Sequence, residues 1–168
     1  MRIRLFQIDP QKDSLRRMFC GLREFEAAQG CKGVDLSIYD SVLNCEVEAS
    51  DLEEVFQILN EDDRSLGRTI RSMSCSDVVI TKDGAFYCDS FGFKKVDVFY
   101  LAKQKCHCCG KEFVVRYNAD GTYDYLPNEE VCDCENDFSP VDGVITIDEW
   151  LKKINIDSNL NRFGFRLL

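Results

Sequence analysis

Cys75-Ser76-Asp77-Val78-Val79-Ile80-Thr81-Lys82-Asp83-Gly84-Ala85-Phe86-Tyr87-Cys88-Asp89 is the stretch whose reading decides the fold. Its first half is β-branched and strand-like, Lys82-Asp83-Gly84 supplies a tight turn, and Ala85 to Asp89 returns, which predicts a β-hairpin. Downstream, Phe91 to Tyr100 reads as one further strand. Upstream, Ser50 with Glu53 three residues on has the spacing of a capping box, and Leu52, Val55, Phe56 and Leu59 then fall on one helical face. Before that lie an extended piece from Val42 to Val47, a short helix over Leu22 to Gln29 closed by Gly30, and an opening strand at residues 2–8 that ends at Asp9-Pro10. A polar loop, Glu61-Asp62-Asp63-Arg64 with Gly67, separates the core helix from the hairpin.

The texture changes at Lys105. Cysteines and acids become frequent, and a second hairpin is predicted, Glu112 to Tyr117 turning at Asn118 to Gly121 into Thr122 to Leu126. The last thirty residues hold one helix, with Thr146 or Asp148 as cap and Ile147, Trp150, Leu151 and Ile154 on its face, before the tail Phe163 to Leu168. The expected fold is α+β: a small mixed N-terminal domain with antiparallel hairpins over residues 1–104, a cysteine-bearing module over 105–138, and a C-terminal helix and tail over 139–168.

Within the module, Cys106-His107-Cys108-Cys109-Gly110-Lys111 contains Cys-x2-Cys-Gly, a knuckle in which glycine follows the second ligand and lets backbone N–H groups approach the sulfurs. Cys132-Asp133-Cys134 follows after the hairpin, which would bring the two pairs together. This layout resembles a rubredoxin-like zinc ribbon. The expected ligands are Cys106, Cys109, Cys132 and Cys134, and four thiolates give a closed, tetrahedral, structural zinc site with no position for a reactive water. Two alternatives stay open: Cys108 or His107 replacing one of these ligands, and iron in place of zinc. The other cysteines (Cys20, Cys31, Cys45, Cys75, Cys88, Cys108) follow no framework pattern and are expected to be reduced, mostly buried thiols.

The formal charge is −9, unevenly distributed. Residues 1–104 carry 14 Lys and Arg against 18 Asp and Glu, whereas residues 106–149 carry only Lys111 and Arg116 against 11 acids. A phosphate-binding surface needs clustered cations, so the acidic segment is a poor nucleic-acid binder. No run of about 18 apolar residues occurs, and the opening strand meets an acid too early for a signal segment, so a soluble, cytoplasmic protein with no membrane contact is expected.

Leu36-Ser37-Ile38-Tyr39-Asp40 leading to Asp51-Leu52-Glu53-Glu54-Val55-Phe56, and Ser74-Cys75-Ser76-Asp77-Val78-Val79 leading to Phe86-Tyr87-Cys88-Asp89-Ser90-Phe91-Gly92-Phe93, carry a family resemblance. With the opening Arg4-Leu5-Phe6-Gln7-Ile8-Asp9, they resemble the YodL-like domain of Firmicutes over about residues 1–100. The resemblance implies an accessory protein of conjugative elements, plasmids or phages, and it transfers no catalytic residues.

Parts for catalysis are scarce. His107 is the only histidine, so neither a Ser/His or Cys/His pair remote from the knuckle nor an HExxH site can be built, and no glycine-rich phosphate loop occurs. Asp77 and Asp89 flank the first hairpin and offer a carboxylate pair for a nuclease or other hydrolase, although solvated or capping roles explain them better. Asp142-Gly143-Val144-Ile145 with Glu149 imitates half of a calcium loop, but its first and third ligand positions fall on Phe138 and Pro140, which cannot coordinate. The expected function is therefore a non-catalytic, zinc-binding interaction protein of a mobile element. Its partner would be a protein, attractively a host restriction or CRISPR nuclease whose basic channel an acidic inhibitor can occupy. The alternative is a nucleic-acid-binding ribbon protein using Arg2, Arg4, Arg16, Arg17 and Arg23, or Arg64, Arg68 and Arg71.

Overall fold

The computed structural model describes residues 1–61, 70–127, 129–134 and 138–157. Most of the loop at 61–67, including Arg64, the nearby Arg68, and the tail from Phe163 lie outside the described residues. The chain divides into two compact units, one formed by residues 1–34, 38–97 and 156–168, the other by 35–37 and 98–155.

The first unit is built on a five-stranded antiparallel sheet. In chain order its elements are β1 (Arg2–Ile8), α1 (Leu22–Gln29), β3 (Tyr39–Glu46), α2 (Leu52–Asn60), β4 (Val78–Thr81), β5 (Gly84–Cys88) and β6 (Phe93–Val96); the short β2 (Val34–Asp35), between α1 and β3, is not part of this sheet. The sheet order is β3-β1-β4-β5-β6. The expected hairpin is β4–β5, with Thr81 opposite Gly84 at its turn. Gly84 has φ +126°, a conformation open to glycine and strained for other residues. A bulge between Leu5 and Phe6 shifts the β1–β3 register past Val42.

Helices cover both faces of this sheet. Val55 and Leu59 of α2 pack with Ile3, Leu5, Leu43, Val79 and Cys88. On the opposite face Phe25 of α1 meets the rings of Tyr39 and Tyr87 at 6.2 and 5.5 Å. Burial of such side chains contributes about 1.5–3 kcal/mol each and dominates the stability of the unit. The N-cap of α2 is Asp51 rather than the expected Ser50: the Asp51 carboxylate accepts from the Glu54 amide at 2.9 Å. Ser50 sits one residue outside the cap and donates its amide and hydroxyl to Glu54.

The expected single strand from Phe91 to Tyr100 is in fact two. It breaks at Asp97, whose carbonyl accepts from the Val34 amide at 2.9 Å, so β6 stays in the first sheet and the following strand starts another. The second unit contains that strand, β7 (Val98–Cys106), with β8 (Glu112–Asn118), β9 (Tyr123–Tyr125), β10 (Phe138–Pro140) and α3 (Ile147–Ile154). Its sheet runs β10-β7-β8-β9, all antiparallel. β7 passes unbroken through residues 104 and 105, so residues 98–104 and α3 share one unit with the second hairpin.

α3 starts at Thr146 in a complete capping box with Glu149. Trp150 is its buried anchor: fully enclosed, 5.7 Å from the Tyr100 ring, and donating its indole N–H to the Asn118 carbonyl at 3.1 Å. Gln104 donates to the Tyr117 hydroxyl within the same core. No helix among the described residues is long and apolar enough to cross a membrane.

Candidate metal centre

β7 delivers Cys106 into the interior at its last residue, and the chain then turns sharply: the Gly110 amide donates to the Cys106 carbonyl at 3.0 Å and the Cys106 amide to the Lys111 carbonyl at 2.9 Å. Gly110 takes φ +73° to close this knuckle. The β8–β9 hairpin carries the chain out and back. A loop then returns Cys132 and Cys134, with the Glu129 carboxylate accepting the Val114 amide of β8 at 3.2 Å. β10 completes the frame by pairing Phe138 opposite Cys106.

The result is that the sulfurs of Cys106, Cys109, Cys132 and Cys134 all lie within 4.8 Å of one another. In a tetrahedral zinc site with Zn–S bonds of about 2.3 Å, neighbouring sulfurs stand about 3.8 Å apart, so the grouping fits one metal ion. Cys106 is buried, Cys132 and Cys134 are half-buried, and Cys109 is exposed. The fit extends to electrostatics. The backbone N–H of Cys109, with help from the Cys132 thiol and the Cys108 N–H, pulls the Cys106 thiol down to about 6. Cys134 is pushed upward, first by the Cys108 thiol and then by those of Cys109 and Cys106. Thiols this close cannot all ionise beside one another without a cation between them, and a divalent ion removes that conflict.

Cys108 and His107 are both exposed and outside the four-sulfur group. His107 instead lines an open cleft of about 440 Å³ with Lys105, Glu112 and Asp142. Of the six scattered cysteines, only Cys45 and Cys88 are buried; Cys20 and Cys75 are half-buried, and Cys31 and Cys108 are exposed. The expectation that most would be buried is corrected accordingly.

The two hairpin acids are placed very differently. Asp77 has no exposed surface. Its carboxylate accepts from both terminal nitrogens of Arg71, from Gln7 Nε2 at 2.9 Å and from the Ser74 amide at 3.0 Å. Burial pushes this carboxyl upward, against the pull of Arg71 and Gln7. Asp77 is thus an internal ion-paired group, neither solvated nor a helix cap, and its burial is what sequence periodicity could not reveal. Asp89 does cap a helix. α1 begins at Gly21, which has no side chain to offer, and the Asp89 carboxylate accepts the Leu22 amide at 3.0 Å from across the fold. Asp89 also accepts the Ser90 amide at 2.8 Å and pairs with Lys94 at 2.6 Å.

The bond to Lys94, with the Leu22 and Ser90 amides, holds the Asp89 carboxyl below its ordinary range. A depressed carboxyl contributes stability that is present above its unfolded value of about 3.9 and is lost as pH falls through the lower folded value. Asp89→Ala should therefore cost about 1–2 kcal/mol near neutral pH, mostly from the orphaned helix amide, because Lys94 is well solvated. Urea unfolding should show the difference between variant and wild type shrinking below pH 4, and a gap that stays constant with pH would contradict this role.

Among the described residues, most of the candidate phosphate-binding arginines are buried or paired. Arg4 is buried, Arg17 is buried against Asp13 at 3.2 Å, Arg71 is held by Asp77, and Arg2 lies 3.7 Å from Asp157. Of that group, only Arg16 and Arg23 stand exposed among the described residues.

The YodL-like domain profile matches residues 2–99, more than half of the chain, and the protein belongs to that family. The match ends at the second residue of β7, so the four-cysteine centre lies wholly beyond it. No curated protein and no solved structure matches the chain.

Proposed function

We propose that this is a non-catalytic accessory protein of a mobile genetic element, acting in the cytoplasm by stoichiometric binding to another protein. In this reading Cys106, Cys109, Cys132 and Cys134 hold a structural zinc ion in a ribbon-like module. The favoured partner is a host enzyme that targets nucleic acid, such as a restriction or CRISPR nuclease. The observation that carries the proposal is the convergence of four thiols, a full coordination set, in the most acidic part of the chain. A closed four-thiolate site supplies stability and adds about two negative charges to a segment that already holds 11 acids against two bases.

Two further observations support it. Asp77 is sealed inside the first unit, and Asp89 is committed to a helix amide and Lys94, so neither stands ready as an acid or base. Among the described residues, the arginines that a nucleic-acid-binding role would use are, apart from Arg16 and Arg23, internal or paired, which disfavours the second reading.

Electrostatic attraction between an acidic surface and a basic groove weakens as the Debye length shrinks. Association with such a nuclease should slow by at least about tenfold as ionic strength rises from about 0.05 to 0.5 M. The test titrates a purified nuclease of the element's host with wild type and with a variant in which Asp120, Asp124, Glu129 and Glu130 become Asn or Gln. Inhibition should saturate at a fixed molar ratio and weaken in the variant. Full inhibition at strongly substoichiometric amounts would mean turnover and would overturn the proposal.

A further inference from the structure

The second unit leaves two large apolar side chains in solvent among its described residues, Tyr123 at 42% and Tyr125 at 39% exposure. Both lie on the face of β9 that pairs with the inward residues Tyr117 and Val115 of β8. They belong to a cluster of four rings. Tyr123 meets Tyr125 at 5.9 Å and Phe138 at 5.7 Å, both nearly edge-on, and Phe113 backs Phe138 at 5.3 Å and Tyr125 at 6.1 Å. β9 and β10 are opposite ends of the sheet order, so the contact of Phe138 with both tyrosines means that the sheet curls until its edges meet over Phe113. The tyrosines form the outer rim of that closure.

Carboxylates surround this rim in sequence. Asp120 and Asp124 bracket Tyr123, with Asp124 on the alternate face of β9 accepting from Asn118 and Asp120 accepting from Thr122, and Glu129, Glu130 and Asp133 follow Tyr125, with all but Glu129 exposed. An exposed π-face in an acidic segment suits a guanidinium, which stacks flat on a ring while the surrounding negative charge attracts it. The protein uses the same arrangement internally: Arg17 lies over Phe25 and pairs with Asp13, and Arg71 lies over Phe19 and pairs with Asp77.

We propose that Tyr123 and Tyr125, with the neighbouring carboxylates, are the docking surface for arginine side chains of the partner protein, an inference that rests on the protein-binding reading above. Charge complementarity selects a basic partner, and the rings select arginine over lysine. The surface is tied to the metal centre, because Phe138 sits opposite Cys106 in the β7–β10 ladder.

The test uses the full zinc-loaded chain and two probes of equal charge, a nona-arginine and a nona-lysine peptide, titrated at low salt. Nona-arginine should bind about fivefold more tightly than nona-lysine and shift the ring-proton resonances of Tyr123 and Tyr125. Tyr123→Leu, which keeps apolar bulk against Phe138, should remove most of that preference with zinc content and melting temperature unchanged, whereas Tyr123→Phe should retain it. Equal binding of the two peptides, or tyrosine resonances unmoved by nona-arginine, would overturn the inference even if Tyr123→Leu folds poorly. A folded chain without zinc would instead refute the metal assignment, and the comparison of the two peptides would still decide the docking surface.

Discussion

Cys132→Ser should abolish stable metal retention and lower the melting transition of the second unit by on the order of 10 °C or more, whereas Cys31→Ser should leave it almost unchanged. The contrast follows from position. The Cys132 sulfur is one of four within 4.8 Å, and it belongs to a loop flanked in sequence by the short strands β9 and β10. Three-residue strands hold few ladder bonds, so a metal held there would close what the backbone alone leaves open. Cys31 is an exposed thiol outside the group. Chelation of wild type should reproduce the Cys132→Ser melting curve, and acidification should do the same, since protons compete with the metal for thiolates. Metal release should therefore grow as pH falls below neutrality, as protons displace the metal from the thiolates. Equal melting temperatures for the two serine variants would remove the dedicated site.

Asp77→Ala should cost about 2–4 kcal/mol in urea unfolding of the first unit, among the largest effects of any polar substitution there. It takes the Ser74 amide's acceptor, leaves Gln7 only its 3.3 Å bond to the Arg71 carbonyl, and removes the counter-charge of the Arg71 guanidinium, which keeps the Ser72 carbonyl and Ser74 hydroxyl and lies 5.2 Å from the Phe19 ring. Arg71 retains partial exposure, 28% of its side chain, so water recovers some of its solvation and the loss stays below that of a fully buried pair. Asp77→Asn should recover part of the loss by keeping an acceptor. If instead Asp77→Ala leaves stability within about 0.5 kcal/mol of wild type while abolishing a biological effect, Asp77 is a functional acid rather than an internal brace.

Most of the fold was readable because local signals agreed with tertiary ones. Lys82-Asp83-Gly84 closes the β4–β5 hairpin, Gly30 ends α1 in the left-handed region with φ +79°, and the Thr146 and Glu149 pair starts α3. What escaped is set by contacts distant in sequence. The chain from Phe91 to Tyr100 is β-prone throughout, and its division between two sheets coincides with contacts distant in sequence, the Val34 amide on the Asp97 carbonyl and the pairing of β2 with β7. β10 was hidden because Phe138-Ser139-Pro140 is short and holds a proline, which an edge strand tolerates. Ser50 and Asp51 are both good caps, and the choice turned on which one adopts the extended conformation that lets its side chain reach the Glu54 amide. At the metal centre, Cys-x2-Cys-Gly and Cys-x-Cys named all four converging residues. The burial of Asp77 left no trace in sequence, because its partner Arg71 lies in an irregular segment with no period to read.

The most direct test of a structural four-thiolate centre is elemental analysis of the full chain purified without chelator, read together with native mass spectrometry. Close to one zinc per chain in wild type is expected, with none retained in Cys132→Ser. A folded wild-type sample carrying essentially no metal, with all four of these cysteines reduced, would contradict it.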